Sequence, residues 1–195
     1  MMPSNRFAMR MLRAGPPRVR EDLARLLTQT VPSSILRFVD EYGVAIRPLF
    51  DNEDFPDVSA ALRNVGFLQA HPIQPPGLYV RNEKTLYLRS ISPLVVGHEL
   101  IHALDDALGG GGSYYSTRDV AIGVAFTSAT KWVTPYAGEN REEYFAECGR
   151  AMLGMNDPEL TSWPVVNEAR LRSVDRVMWR IMLELFERVA LSEPS

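Results

Sequence analysis

The chain has 195 residues, 46% of them hydrophobic and 23% charged, which suits a single domain over residues 1–195 and excludes a disordered chain. A net charge of −3, with acidic and basic residues interspersed, leaves no basic stripe for phosphates, so nucleic acid is not an expected partner. The single cysteine, Cys148, excludes an internal disulfide framework and a cysteine-rich zinc site, so any metal must be held by histidine and carboxylate.

At the N-terminus, Arg6, Arg10, Arg13, Arg18 and Arg20 are interrupted by Pro3 and Gly15-Pro16-Pro17, and no apolar stretch follows. Residues 1–17 therefore read as a flexible arm, and no secretory signal is expected. No apolar run approaches the ~20 residues that span a bilayer, so a soluble protein without a membrane span is expected. Leu23, Leu26 and Leu27 have helical spacing, and a second helix opens at a Ser33-Ser34 cap, carries Ile35, Leu36, Phe38 and Val39, and stops at Gly43. Val44 to Leu49 has the composition of a strand, and Pro56 to Val65 that of a short helix with proline at its start. From Gly77 the pattern alternates: Leu78-Tyr79-Val80, a polar turn over Arg81 to Lys84, then Thr85-Leu86-Tyr87-Leu88, which predicts a β-hairpin.

Ser92-Pro93 opens a segment, Leu94 to Leu108, that is apolar nearly all round apart from His98, Glu99, His102, Asp105 and Asp106. This predicts a central, buried helix ended by Gly109 to Gly112. Asp119 to Ala129, Asn140 to Met155 and Asn167 to Leu191 are the remaining predicted helices, the last long and amphipathic, with Met178, Trp179, Ile181, Met182, Leu185 and Phe186 read as packing.

The chemistry lies in His98-Glu99-Leu100-Ile101-His102. Histidines four apart project from one helix face a turn apart, the spacing at which both imidazoles reach one tetrahedral zinc ion. Glu99 beside them is placed to take a proton from a zinc-activated water attacking a carbonyl, which is the mechanical content of H-E-x-x-H. Two histidines and a glutamate on an otherwise apolar helix would be costly to bury unless they share partners, and a metal with its water supplies them. His71, in an Ala-His-Pro-Ile-Gln-Pro-Pro loop, reads as a surface residue. Asp105 shares the helical face of His98 and is expected to support the ligands from behind, while Asp106 helps to end the helix.

Catalytic zinc takes three protein ligands, so a carboxylate must come from elsewhere. Glu139, Glu143 and Glu147 fall on one helical stripe of the segment Tyr136 to Glu147, where like charges repel unless a cation faces them. Asn140 with Glu143 equally fits a helix N-cap and its reciprocal partner, so spacing leaves Glu143 open between ligand and cap. Cys148 falls on the apolar face and reads as core. Tyr114 and Tyr115, after the glycines, are placed either to line a cleft or, as is more frequent, to be exposed loop tyrosines.

The stretches HELIHALDD, 98–106, and YAGENREEYFAE, 136–147, resemble the catalytic domain of anthrax lethal factor and the Pro-Pro endopeptidases, which are zincins. The resemblance is firm over Thr85 to Met155. It implies an α+β, zincin-like metallopeptidase domain, helix-rich with a small mixed sheet and a central HExxH helix. It also implies that His98, His102 and Glu143 hold one Zn2+, that Glu99 is the general base, that Tyr136 stabilises the oxyanion, and that Glu147 holds a ligand histidine. The implied function is zinc-dependent hydrolysis of a peptide or protein substrate, as in a toxin or effector catalytic domain. Two rivals keep the same fold: a quiet binding or sensing protein, and a zinc hydrolase of a non-peptide amide or ester. Thr85, Leu86, Tyr87 and Leu88 are the expected edge strand for an extended substrate. The sequence departs from the family at Ile101, where relatives usually carry glycine, and at the four-glycine loop.

Overall fold

The computed structural model describes residues 3–67 and 74–192. Helix α1, Pro3–Met11, opens the chain. The expected flexible arm is thus a packed element: Ala8, Met11 and Leu12 are buried, and Leu12 bridges to Ile46 at the edge of the sheet. The apolar spacing of these three residues gives the segment a face to bury, which Arg10 between them and Arg6 and Arg13 on either side obscure in the sequence.

Helix α2, Pro17–Thr30, buries Leu23, Ala24 and Leu27 and stops where Val31 turns extended before Pro32. Helix α3, Ser33–Glu41, buries Ile35, Leu36 and Val39. Its serines lie inside the first turn, and Pro32 stands at the cap position without a side-chain hydrogen bond. The short helix expected over Pro56 to Val65 is two, α4, Phe55–Val58, and α5, Ala60–Asn64, because Ser59 leaves the helical conformation to accept the Leu62 N–H.

Strands β1, Ala45–Pro48, β2, Gly77–Val80, and β3, Thr85–Leu88, form a mixed sheet in the order β1-β3-β2. β1 runs parallel to β3, and β2 antiparallel. The β2–β3 turn is tightened by a 3-10 turn over Arg81–Glu83 and by Lys84, whose φ of 47° is left-handed. Because side chains alternate across a strand, Ile46, Tyr79, Leu86 and Leu88 face the main core, while Val80 and Tyr87 face a smaller cluster with Phe55, Leu62 and Phe67. The position of β3 overturns one expectation: Thr85 to Leu88 is the central strand, paired on both sides, and the outer strands are β1, whose edge Leu12 partly covers, and β2.

Helix α6, Pro93–Leu108, is buried continuously from Val95 to Asp106. After the glycines come α7, Tyr115–Arg118, and α8, Val120–Ser128, which Asp119 caps. Helix α9, Arg141–Leu153, is capped by Asn140, ends at left-handed Gly154, and packs along α6. The single C-terminal helix expected over Asn167 to Leu191 is broken into α10, Glu168–Val174, and α11, Arg176–Leu191. Asp175 makes the break: it is non-helical, caps α11 through the Met178 N–H, and accepts from the Tyr144 hydroxyl. No described helix is long and apolar enough to cross a membrane.

Candidate metal centre

Helices α6 and α9 meet with their polar residues facing one another. His98 and His102, one turn apart on α6, face Glu143 at the start of α9. The Glu143 carboxylate oxygen Oε2 is 3.0 Å from His98 Nε2 and 3.3 Å from His102 Nε2, and the two Nε2 atoms are 3.0 Å apart. The capping alternative does not compete, because it uses a different part of the residue: the Glu143 main-chain N–H donates to Asn140 Oδ1 at 2.9 Å, and its carboxylate points to the histidines.

These three atoms fit one metal ion. Tetrahedral zinc ligands at ~2.0–2.1 Å stand roughly 3.3 Å from one another, close to the separations found here. His98 Nδ1 lies 2.9 Å from Glu147 Oε1, a contact that needs a proton on Nδ1 and therefore turns the lone pair of the neutral ring, on Nε2, to the shared point. Charge argues the same way. Burial pulls the His98 pKa down, yet the hydrogen bonds its ring donates to Glu143 and Glu147 outweigh it and push the value up to about 10. Burial raises the Glu143 carboxyl, but His102 and His98 hold it well below the usual carboxylate range. The site is built to hold positive charge, as a metal ion or a proton.

Glu147 is fully used. It accepts from the Thr134 hydroxyl at 2.6 Å and from Arg150 Nη2 and Nε at 2.7 and 3.1 Å, besides meeting His98. Arg150 is itself buried and donates to the Met155 carbonyl at 2.8 Å. This network fixes the His98 ring, and Thr134, which caps the 3-10 turn over Pro135–Gly138, ties it to the turn carrying Tyr136.

Above the histidines opens a cleft of about 800 Å³, whose wall includes Gly77, Tyr79, Glu99, Tyr114, Tyr136 and Trp163. The Tyr136 ring lies 5.7 Å from the His98 ring and stacks on Trp163 at 5.8 Å. Burial and the neighbouring Glu143 carboxylate raise its hydroxyl pKa, so it stays a proton-bearing donor. Tyr114 also lines the cleft, 5.9 Å from the His102 ring, with the Arg81 guanidinium 4.6 Å over its ring. Glu99 is buried at the cleft wall, with Oε2 2.7 Å from the Tyr79 main-chain nitrogen.

The structure thus brings together His98, Glu99, His102, Tyr136, Glu143 and Glu147, which the sequence singled out. Asp105 departs from expectation. It reaches neither His98 nor His102, because its two oxygens accept from the N–H and hydroxyl of Ser116, at 2.8 and 2.6 Å. His102 Nδ1 is buried without a partner among the described residues. His71 lies outside the described residues. Sequence reasoning missed Thr134, Arg150, Trp163 and the role of Gly77. Only Gly77 left a signal, a glycine opening a strand, which often marks a close approach of backbone. Here a Cβ would stand 2.5 Å from Val95 and 3.1 Å from the Glu99 side chain.

No protein-family model and no curated protein matches the sequence. The fold is similar to the solved structure of the Pro-Pro endopeptidase PPEP-2 from Paenibacillus alvei, with a TM-score of 0.66 and 16% identity, covering 92% of this chain and 100% of that one. The likeness shows a shared fold, helix-rich with a small mixed sheet. The similarity to the lethal factor domain rests on the two sequence motifs alone.

Proposed function

We propose that this chain is a zinc-dependent endopeptidase. The observation that carries the reading is the convergence of His98 Nε2, His102 Nε2 and Glu143 Oε2 at 3.0–3.3 Å on the floor of a cleft walled by Glu99 and Tyr136. A fold shared with a Pro-Pro endopeptidase supports it, although fold alone does not decide chemistry.

His98, His102 and Glu143 would hold the metal, and Glu147 would keep the His98 ring in the tautomer that presents Nε2. Zinc held there supplies a Lewis acid, which polarises a peptide carbonyl and makes water more acidic. Glu99 takes the proton from the water that attacks the carbonyl carbon and passes it to the departing amine nitrogen. The Tyr136 hydroxyl donates to the carbonyl oxygen as that oxygen gains charge, a contact whose removal commonly costs ~3 kcal/mol of transition-state stabilisation. Strand addition by an extended substrate falls to β2, whose free edge runs along the cleft at Gly77, rather than to β3.

The test is cleavage of an extended-peptide library, including sequences with consecutive prolines as the name of PPEP-2 suggests, read by mass spectrometry. Cleavage should stop when metal is stripped by a chelator and return with zinc. Cleavage that survives stripping, or a library left intact by the zinc-loaded protein, would sink the proposal.

A further inference from the structure

We propose that Tyr79 is a positioning residue for Glu99: its main-chain N–H holds the Glu99 carboxylate, and its hydroxyl, bonded to Asp106, holds in place the strand edge that carries this N–H. The inference rests on the peptidase reading above. The Pro76 carbonyl accepts from Arg89 N at 2.9 Å, so main-chain groups of residues 76, 78 and 80 face β3, and those of Gly77 and Tyr79 turn to the free edge. At such an edge an amide ordinarily faces solvent or an incoming strand. The Tyr79 N–H instead meets Glu99 Oε2 at 2.7 Å, and both residues are buried.

The other end of Tyr79 is anchored to the same helix. Its hydroxyl donates to Asp106 Oδ2 at 2.8 Å. Asp106 lies seven residues after Glu99, two turns along one face of α6, so Tyr79 spans the helix from the base to the anchor. Asp106 is buried and also accepts from Arg81 Nε at 2.9 Å and the Tyr42 hydroxyl at 3.1 Å, which makes it a fixed post. Gly77 permits the close approach, since any side chain there would collide with Val95.

A carboxylate that collects a proton and hands it on needs one oxygen aimed at the reacting centre, and a carboxylate free to rotate loses that aim. Gripping Oε2 leaves Oε1 for the reaction. The same contact withdraws the Tyr79 N–H from strand addition, so a substrate backbone pairs with the edge at Gly77 and not at the Tyr79 amide.

Two measurements test the proposal. In the wild-type chain, the Tyr79 amide proton should resonate far downfield, as an N–H bonded to a carboxylate does, and should move upfield in Glu99→Gln. Tyr79→Phe keeps the strand, and Asp106 keeps two donors, so the variant folds. Its kcat should fall about tenfold with KM and zinc content unchanged. An ordinary Tyr79 amide resonance, a kcat unchanged in Tyr79→Phe, or a loss confined to KM would overturn the role of Tyr79. Wild-type protein that shows the downfield amide yet cleaves nothing would overturn the peptidase reading instead, because the contact would then be present without the reaction.

Discussion

Ile101 fills the space left by Gly149: a Cβ built on Gly149 would stand 2.6 Å from Ile101 Cγ2. The small residue on α9 thus faces the bulky one on α6, and the two helices approach closely at this point, which brings Glu143 and Glu147 to the two histidines. Gly149→Ala should overpack this contact and cost ~1–3 kcal/mol in urea unfolding. The same substitution in an Ile101→Ala background should cost clearly less, and equal costs in the two backgrounds would show that the residues are not coupled.

Glu147 holds His98 and Arg150 at once, so its substitutions separate two effects. Glu147→Gln keeps a group able to accept from His98 but removes the charge, and zinc affinity measured against a competing chelator should fall 10- to 100-fold on the general scale of such supports. Glu147→Ala leaves the buried Arg150 guanidinium without its carboxylate, and should destabilise the fold by ~3–5 kcal/mol. A Glu147→Ala protein as stable as wild type would mean that Arg150 finds another partner.

Tyr136→Phe should retain zinc and KM while kcat falls by ~10²–10³, the range for loss of one oxyanion donor. A change in KM alone would assign Tyr136 to substrate binding.

The pH dependence of stability should carry the mark of Asp105. Burial raises its carboxyl to about 6, against hydrogen bonds from Ser116 that act to lower it. An unfolded aspartate titrates near ~3.9, so between these values the folded chain holds a proton that the unfolded chain has released. The contribution is therefore full below about pH 4 and is lost as pH rises through about 6. Asp105→Asn can keep both contacts with Ser116 without a titrating group. Relative to wild type it should gain stability from pH 4 to 6, by on the order of 1 kcal/mol per pH unit, and level off above. A constant difference across that range would contradict the assignment.

The motif helix was legible because its chemistry and its limits are local: histidines four apart, proline at the start and glycines at the end. Helix α9 was legible for similar reasons, but spacing left Glu143 open between ligand and cap, and it was the resemblance that singled out Glu143 and Glu147. What stayed hidden depends on contacts distant in sequence. β3 is central because β1 pairs with it in parallel from some forty residues away, and no feature of Thr85 to Leu88 announces that. Asp105 occupies the right helical face to support a histidine, but Ser116 takes both its oxygens after the glycine loop folds back. Asp175 breaks an apolar period that continues on both sides of it, because a side-chain cap and a bond from Tyr144 override propensity there.

The most direct test of the zinc peptidase reading is to measure bound zinc and peptide cleavage together for wild type and Glu99→Gln. We expect about one zinc per chain in both proteins, from ligands the substitution leaves intact, and cleavage only in wild type. Zinc absent from both, or cleavage undiminished in Glu99→Gln, would contradict it.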